Sequence, residues 1–153
     1  MKTLAQEDTT AEILVRLRAL SPDSTARWGR MTSPQMVRHL IDSARVAFGE
    51  VTVSDGSSLV QRTVVKWIAL YAPMRWPPEI KTRPELDQAA GRGSPPGDFA
   101  DDVATLAAIT KRIATQPLDA AWARHPIFGG MSHAQWLRWA YLHTDHHLRQ
   151  FGV

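Results

Sequence analysis

No stretch of this chain alternates apolar with polar side chains as a half-buried strand must, whereas four stretches carry apolar residues three and four positions apart behind a helix start signal. That pattern confines the fold to an all-α architecture. The first helix is expected to open at Thr9, with Glu12 completing a capping box, and to run through Ile13, Leu14, Leu17 and Leu20 until Ser21-Pro22 stops it. In the second, Ser33 is the expected N-cap and Pro34 the first helical residue. Met36, Leu40, Ala44 and Ala47 follow, and Gly49 ends the helix. The third starts near Asp98, where Asp101 and Asp102 suit a helix N-terminus, and continues through Leu106, Ile109 and Ile113 up to Pro117. The last opens at Ser132, with Gln135 forming another capping box.

Between the second and third helices lie about fifty residues of different character. From Leu59 to Ala72, apolar residues at positions 60, 64, 67, 68 and 71 predict an additional amphipathic helix broken by Pro73. The stretch "WPPEIKTRPELDQAAGRGSPPGD" that follows holds five prolines and three glycines, which resist helix interiors and central strands alike. The expected architecture is therefore a four-helix bundle with one long crossover carrying an extra helix. With 153 residues and 44% hydrophobic side chains, positions 1–153 suit a single domain around a single core.

Charge and composition remove several classes of partner. The formal charge is +3, but the fourteen arginines and four lysines are scattered and form no basic block, so a nucleic-acid partner is not expected. No window approaches the roughly 20 apolar residues that span a bilayer, and the N-terminal "MKTLAQEDTT" lacks a secretion signal, so the expectation is a soluble, cytoplasmic protein without a membrane partner. There is no cysteine, so disulfides and thiolate metal sites are excluded and any transition-metal centre must use imidazole and carboxylate.

Imidazoles are available. His143 and His147 are four apart on the last helix, separated by about 40° in azimuth and one turn in height, so both face one point. The stripe Trp136, Ala140, His143, His147 and Gln150 keeps a bundle-facing spacing whose far end changes from apolar side chains to nitrogen ligands. His39 lies roughly 9 Å from the start of the second helix, at the matching level if the two helices pack antiparallel. His39, His143 and His147 are thus the candidate ligands of one divalent ion. Gln150 and Asp42 are the candidates to hydrogen-bond those ligands from behind, and Lys81 and Arg83 in the crossover are candidates to capture an anionic substrate group. His125 is expected to fix a turn before Pro126, His133 to be solvated, and His146 to flank the site or face water. Trp28, Trp136 and Trp139 either line the cavity or fill the core, and Gly129-Gly130 shape the turn into the last helix.

The segments "ARWGRMTSPQMVRHLIDSARVAFGE" and "HPIFGGMSHAQWLRWAYLHTDHHLRQFGV", with the Pro-rich crossover between them, resemble the DinB/YfiT-like superfamily of metal-dependent proteins, and within it a bacterial branch of unknown function. The most specific match is one histidine on the second helix followed by HxxxHxxQ on the last, here His39, His143, His147 and Gln150. The resemblance implies a four-helix bundle holding a divalent ion on three histidines. It also implies the antiparallel relation of those two helices, and relatives that dimerise suggest a homodimer. The chemistries it implies are S-transfer or isomerisation with a low-molecular-weight thiol as co-substrate, and hydrolysis; fold membership does not choose among them.

Three neutral imidazoles would leave an ion's double charge uncompensated and coordination positions open, the catalytic pattern rather than the closed structural one. Such an ion lowers the pKa of water or binds a thiol as thiolate. Zinc and nickel suit imidazole ligands best, with iron and manganese possible by ligand type. The turn "HTDH" has no glutamate where the HExxH zinc proteases carry their base, and Asp145 points about 200° away from His143. Three classes stay open: a metal-dependent enzyme acting on a small molecule by thiol transfer or hydrolysis, a non-catalytic metal-binding or stress-related module, and a metal-free structural bundle. No catalytic residue beyond the ligands can be named from the sequence.

Overall fold

The computed structural model describes residues 1–78 and 80–153, and among these it is all-helical, with no strand. Helix α1 spans Glu7–Arg18, α2 Ser33–Ala47, α3 Lys66–Tyr71, α4 Phe99–Ala114 and α5 His133–Gln150. A five-residue π-turn, Gln61–Val65, leads into α3, and two short 3-10 turns, Pro84–Leu86 and Gln88–Ala90, interrupt the crossover that was expected to be loop.

Helix ends follow their caps, with two departures from expectation. Ser132 accepts from the Gln135 backbone N–H, as the sequence predicts, and Asp98, expected only as a favourable charge near the start of the third helix, caps it by accepting from the Asp101 N–H. In α2 the cap is Thr32, one residue before the expected Ser33, because Gln35 completes the capping box with Thr32 and only a residue three before Gln35 can share it. In α1 the box expected at Thr9 does not form. The helix already starts at Glu7, which puts Thr9 inside it, buried and donating to the Gln6 side chain at 3.3 Å. Replacing Ser132 with alanine is expected to lower stability by about 1 kcal/mol, read from urea denaturation, since it removes the acceptor for an otherwise orphaned helical N–H.

The core draws mainly on four helices, and α3 adds the fully buried Leu70. Ile13 and Leu17 of α1, Met36 and Ile41 of α2, Leu106 of α4, and Trp136 and Leu148 of α5 are all at most 2% exposed. Each stabilises the fold by roughly 1.5–3 kcal/mol through the apolar surface it removes from water. Helix α2 packs between α4 and α5, and α1 packs on the same two helices. Partly buried charge pairs fix the register. Arg38 of α2 meets Asp102 of α4 at 2.9 Å, and Asp145 of α5 takes Arg16 of α1 at 2.8 Å and Arg149 at 2.9 Å. Asp145 thus faces away from His143, as its azimuth requires.

Helices α2 and α5 run antiparallel. Just before α2, the Arg27 N–H donates to the Gln150 carbonyl at the end of α5, at 2.7 Å. At the other end, Phe48 stacks on Trp122, which in turn donates its indole N–H to His133, the first residue of α5. A residue seven into α2 is therefore level with the last two turns of α5.

Candidate metal centre

His39 is 3% exposed and its Nδ1 lies 3.0 Å from the Leu86 carbonyl in the first 3-10 turn. A carbonyl only accepts, so Nδ1 carries the proton and Nε2 is left as a bare lone pair. His147 is treated the same way from the other side. Its Nδ1 lies 2.7 Å from Gln150 Oε1, and the Gln150 amide is oriented by donating Nε2–H to the Trp28 carbonyl at 2.7 Å. Nε2 of His147 is again free. His143, half-buried and stacked on Trp139 with ring centroids 4.8 Å apart, brings its Nε2 to 3.3 Å from His39 Nε2.

The three rings form a near-equilateral triangle, edge to face, with centroids 5.2, 4.9 and 4.9 Å apart. One nitrogen from each lies within 4.8 Å of the others. An ion bound at about 2.1 Å to each would set tetrahedral ligand nitrogens about 3.4 Å apart. The His39–His143 pair already stands at that spacing, at 3.3 Å, and the other nitrogens lie within 4.8 Å of one another. The donor set fits as well, because burial pushes the His39 pKa down, and burial together with neighbouring imidazoles pushes His143 and His147 well below the ordinary histidine range. All three are held in the neutral form that binds metal. The cluster can hold a divalent ion.

The site forms part of the wall of a cavity of about 1000 Å³. Most of the rest is apolar: Trp76 and Trp139 face His143 with ring centroids 6.2 and 4.8 Å away, the Leu86 carbonyl meets His39, and Phe128 and the exposed Val65 and Ile68 complete the wall. Trp28 also lines it, whereas Trp136 is core. Lys81 and Arg83 both reach the cavity: Lys81 is exposed at its rim, and Arg83 donates to the Ser54 hydroxyl.

Asp42 is neither a surface charge nor a hydrogen-bond partner of a histidine. It is 1% exposed and accepts from the Ser94 N–H at 2.8 Å and from Gln88 Nε2 at 3.4 Å. Its role is to pin the crossover on α2, which in turn places the Leu86 carbonyl that orients His39. His125 fixes a turn as expected, accepting on Nδ1 from the Ile127 and Phe128 N–H groups, both at 3.1 Å. His133 is half-buried against Trp122 rather than solvated. His146 is buried between Trp28 and Trp76 and flanks the site.

Two contributors were not singled out from the sequence. Leu86 acts only through its carbonyl, which no residue type reveals. Gly29 has a φ of +80°, and a Cβ there would come within 2.6 Å of Gln150 Nε2, so glycine is what lets the amide brace sit against the Trp28 carbonyl.

One family model, described as "Protein of unknown function (DUF1569)", matches residues 2–152. The chain belongs to DUF1569. No curated protein and no solved structure matches it. In this DUF1569 protein, Gln150→Ala removes the partner of the His147 Nδ1 proton, and the expected result is a 10- to 100-fold loss of metal affinity, measured by competition with a chromophoric chelator (roughly the range found when such bracing groups are removed).

Proposed function

We propose that this DUF1569 chain is a metal-dependent enzyme that binds zinc or nickel through His39, His143 and His147 and acts on a small molecule by thiol transfer or hydrolysis. The carrying observation is that two of these imidazoles are locked by protonated Nδ1 atoms, so that their free nitrogens converge with the third at the wall of a large cavity. A purely structural site would be closed by a fourth protein ligand, whereas here the open side faces room for a reactant.

The packing of α1, α2, α4 and α5 supports reading the fold as a four-helix bundle, with α3 in a long crossover between α2 and α4. Together with the HxxxHxxQ spacing of His143, His147 and Gln150, it favours placing the family in the DinB/YfiT-like superfamily. The bound ion supplies a Lewis-acid centre that makes water or a thiol a competent nucleophile near neutral pH. Around it, the Leu86 carbonyl and Gln150 keep two ligand rings turned inward. Trp76, Phe128 and Trp139 line a water-poor wall, and Lys81 and Arg83 offer positive charge to an anionic substrate group.

The test is elemental analysis of protein purified without an affinity tag, followed by turnover assays with low-molecular-weight thiols plus an electrophile and with simple esters and amides. Close to one equivalent of metal, with turnover abolished by chelator and restored by zinc or nickel, is the expected result. Less than about a tenth of an equivalent, with melting unchanged by chelator, overturns the metal site. Full metal without turnover of any substrate leaves a passive binding module instead.

A further inference from the structure

The cavity is larger than a thiol and a small electrophile require, and its walls continue onto the surface. At about 1000 Å³ it sits at the top of the range for small-molecule sites. Four of its lining residues, Val65, Ile68, Met74 and Ile80, are also 39%, 44%, 61% and 49% exposed, so part of the rim is apolar although Lys81 lies there too. That apolar part runs outward over the helix, where Leu59, Val60, Val64 and Trp67 are exposed too. Among the described residues, nine of the twelve exposed large apolar side chains fall between positions 59 and 80. Apolar surface gathered in one patch marks a binding face, whereas scattered residues need no explanation.

At the inner end the chemistry reverses. Three neutral imidazoles leave an ion's two positive charges uncompensated, so the base of the cavity selects an anionic or polarisable head group. A ligand that satisfies both ends has a charged head and an extended apolar tail.

We propose that the substrate is such an amphiphile, of the size of a medium- to long-chain acyl compound, with its head among His39, His143 and His147 and its tail leaving past Ile68 along α3. This assignment rests on the metal-site reading above and specifies the substrate class it leaves open. A tail lying on Val65, Ile68, Met74 and Ile80 covers apolar area that is otherwise exposed to water, and each methylene so covered strengthens binding about fourfold.

The experiment is isothermal titration of zinc-loaded protein with butanoate, octanoate and dodecanoate below their micellar concentrations, with zinc content measured on the same samples. Affinity is expected to rise about fourfold per methylene until the groove is filled. In Ile68→Gln, where the exposed position tolerates a polar side chain, dodecanoate binding falls at least about tenfold, with butanoate binding and zinc content unchanged. Zinc bound with all three carboxylates within about threefold of one another overturns the amphiphile assignment and leaves the metal site standing. Absence of zinc overturns the metal site and with it the head-group contact. An Ile68→Gln protein that weakens all three ligands equally, or none, overturns the α3 route. A flat series from protein that sediments as a dimer assigns the α3 face to a second copy and likewise overturns the proposal.

Discussion

His39→Ala protein is expected to retain less than about a tenth of an equivalent of zinc under conditions that load the wild type fully, and to show no melting shift when chelator or zinc is added. His143 and His147 share α5, and two imidazoles on one helix without a partner from another helix give a weak, exchangeable site. His39 supplies the only ligand from α2, and its Nε2 stands 3.3 Å from that of His143. The wild-type protein, by contrast, is expected to gain about 4 kcal/mol of apparent stability once free zinc reaches a thousand times the dissociation constant. His133→Ala is the matched control. That residue, half-buried against Trp122 at the start of α5, is outside the cluster, and its loss leaves zinc content unchanged. Retention of a full equivalent in His39→Ala would remove His39 from the ligand set.

Metal-free protein is expected to lose about 3 kcal/mol of stability between pH 7 and pH 5 from two histidines outside the ligand set alone. Burial pushes His125 down to about 3 and, with the nearby Arg149 charge, His146 down to about 4. For His125 the geometry gives the reason directly: its Nδ1 accepts from two backbone N–H groups, and a proton there would set donor against donor. An unfolded chain takes up a proton on each imidazole near pH 6.5, whereas the folded chain does not until well below that. Below pH 6.5 the unfolded state therefore binds more protons, and the stability these neutral rings contribute above that pH is lost as the pH falls toward their folded values. The His125 ring loses up to about 1.4 kcal/mol per pH unit in this window, and the less deeply buried His146 about half of that. The buried imidazoles of His39, His143 and His147 add slope of the same sign. Urea denaturation in chelator at pH 7 and pH 5 measures the sum. His125→Asn, whose side-chain carbonyl can accept the same two N–H groups, is expected to lose about 2 kcal/mol less across the window. A pH-independent midpoint would show that these rings take up protons in the native state as readily as in the unfolded chain.

What the sequence makes legible here is whatever depends on neighbours along one helix. The Ser132 cap, the start of α4 near Asp98 and the spacing of His143 with His147 are local, and each was readable. The Thr32 cap was readable too, since Thr32-Ser33-Pro34-Gln35 contains the capping box, but two adjacent hydroxyl residues and a proline made Ser33 look equally suitable. Thr9 and Glu12 match the same motif and do not use it, because packing against α4 and α5 buries Thr9 inside α1. Hidden from the sequence were contacts that cross elements through backbone atoms. The Leu86 carbonyl on His39, the Trp28 carbonyl on Gln150 and the Ser94 N–H on Asp42 bridge separations of 47, 122 and 52 positions. Asp42 was accordingly grouped with the histidine it follows on α2, although its oxygens serve the crossover. The crossover read as loop from its prolines and glycines, and composition gave no sign that it is pinned to α2 and orients a ligand.

His39 and His143 are 104 positions apart and meet only where α2 and α5 lie against each other. Contacts of such long range close late, after most of the chain has been ordered. An ion gripping both helices therefore adds its stabilisation on the native side of the folding barrier, where it slows unfolding and leaves refolding unchanged. In this protein a bound metal would act as a brake on opening, lengthening the lifetime of the native state without hastening its formation.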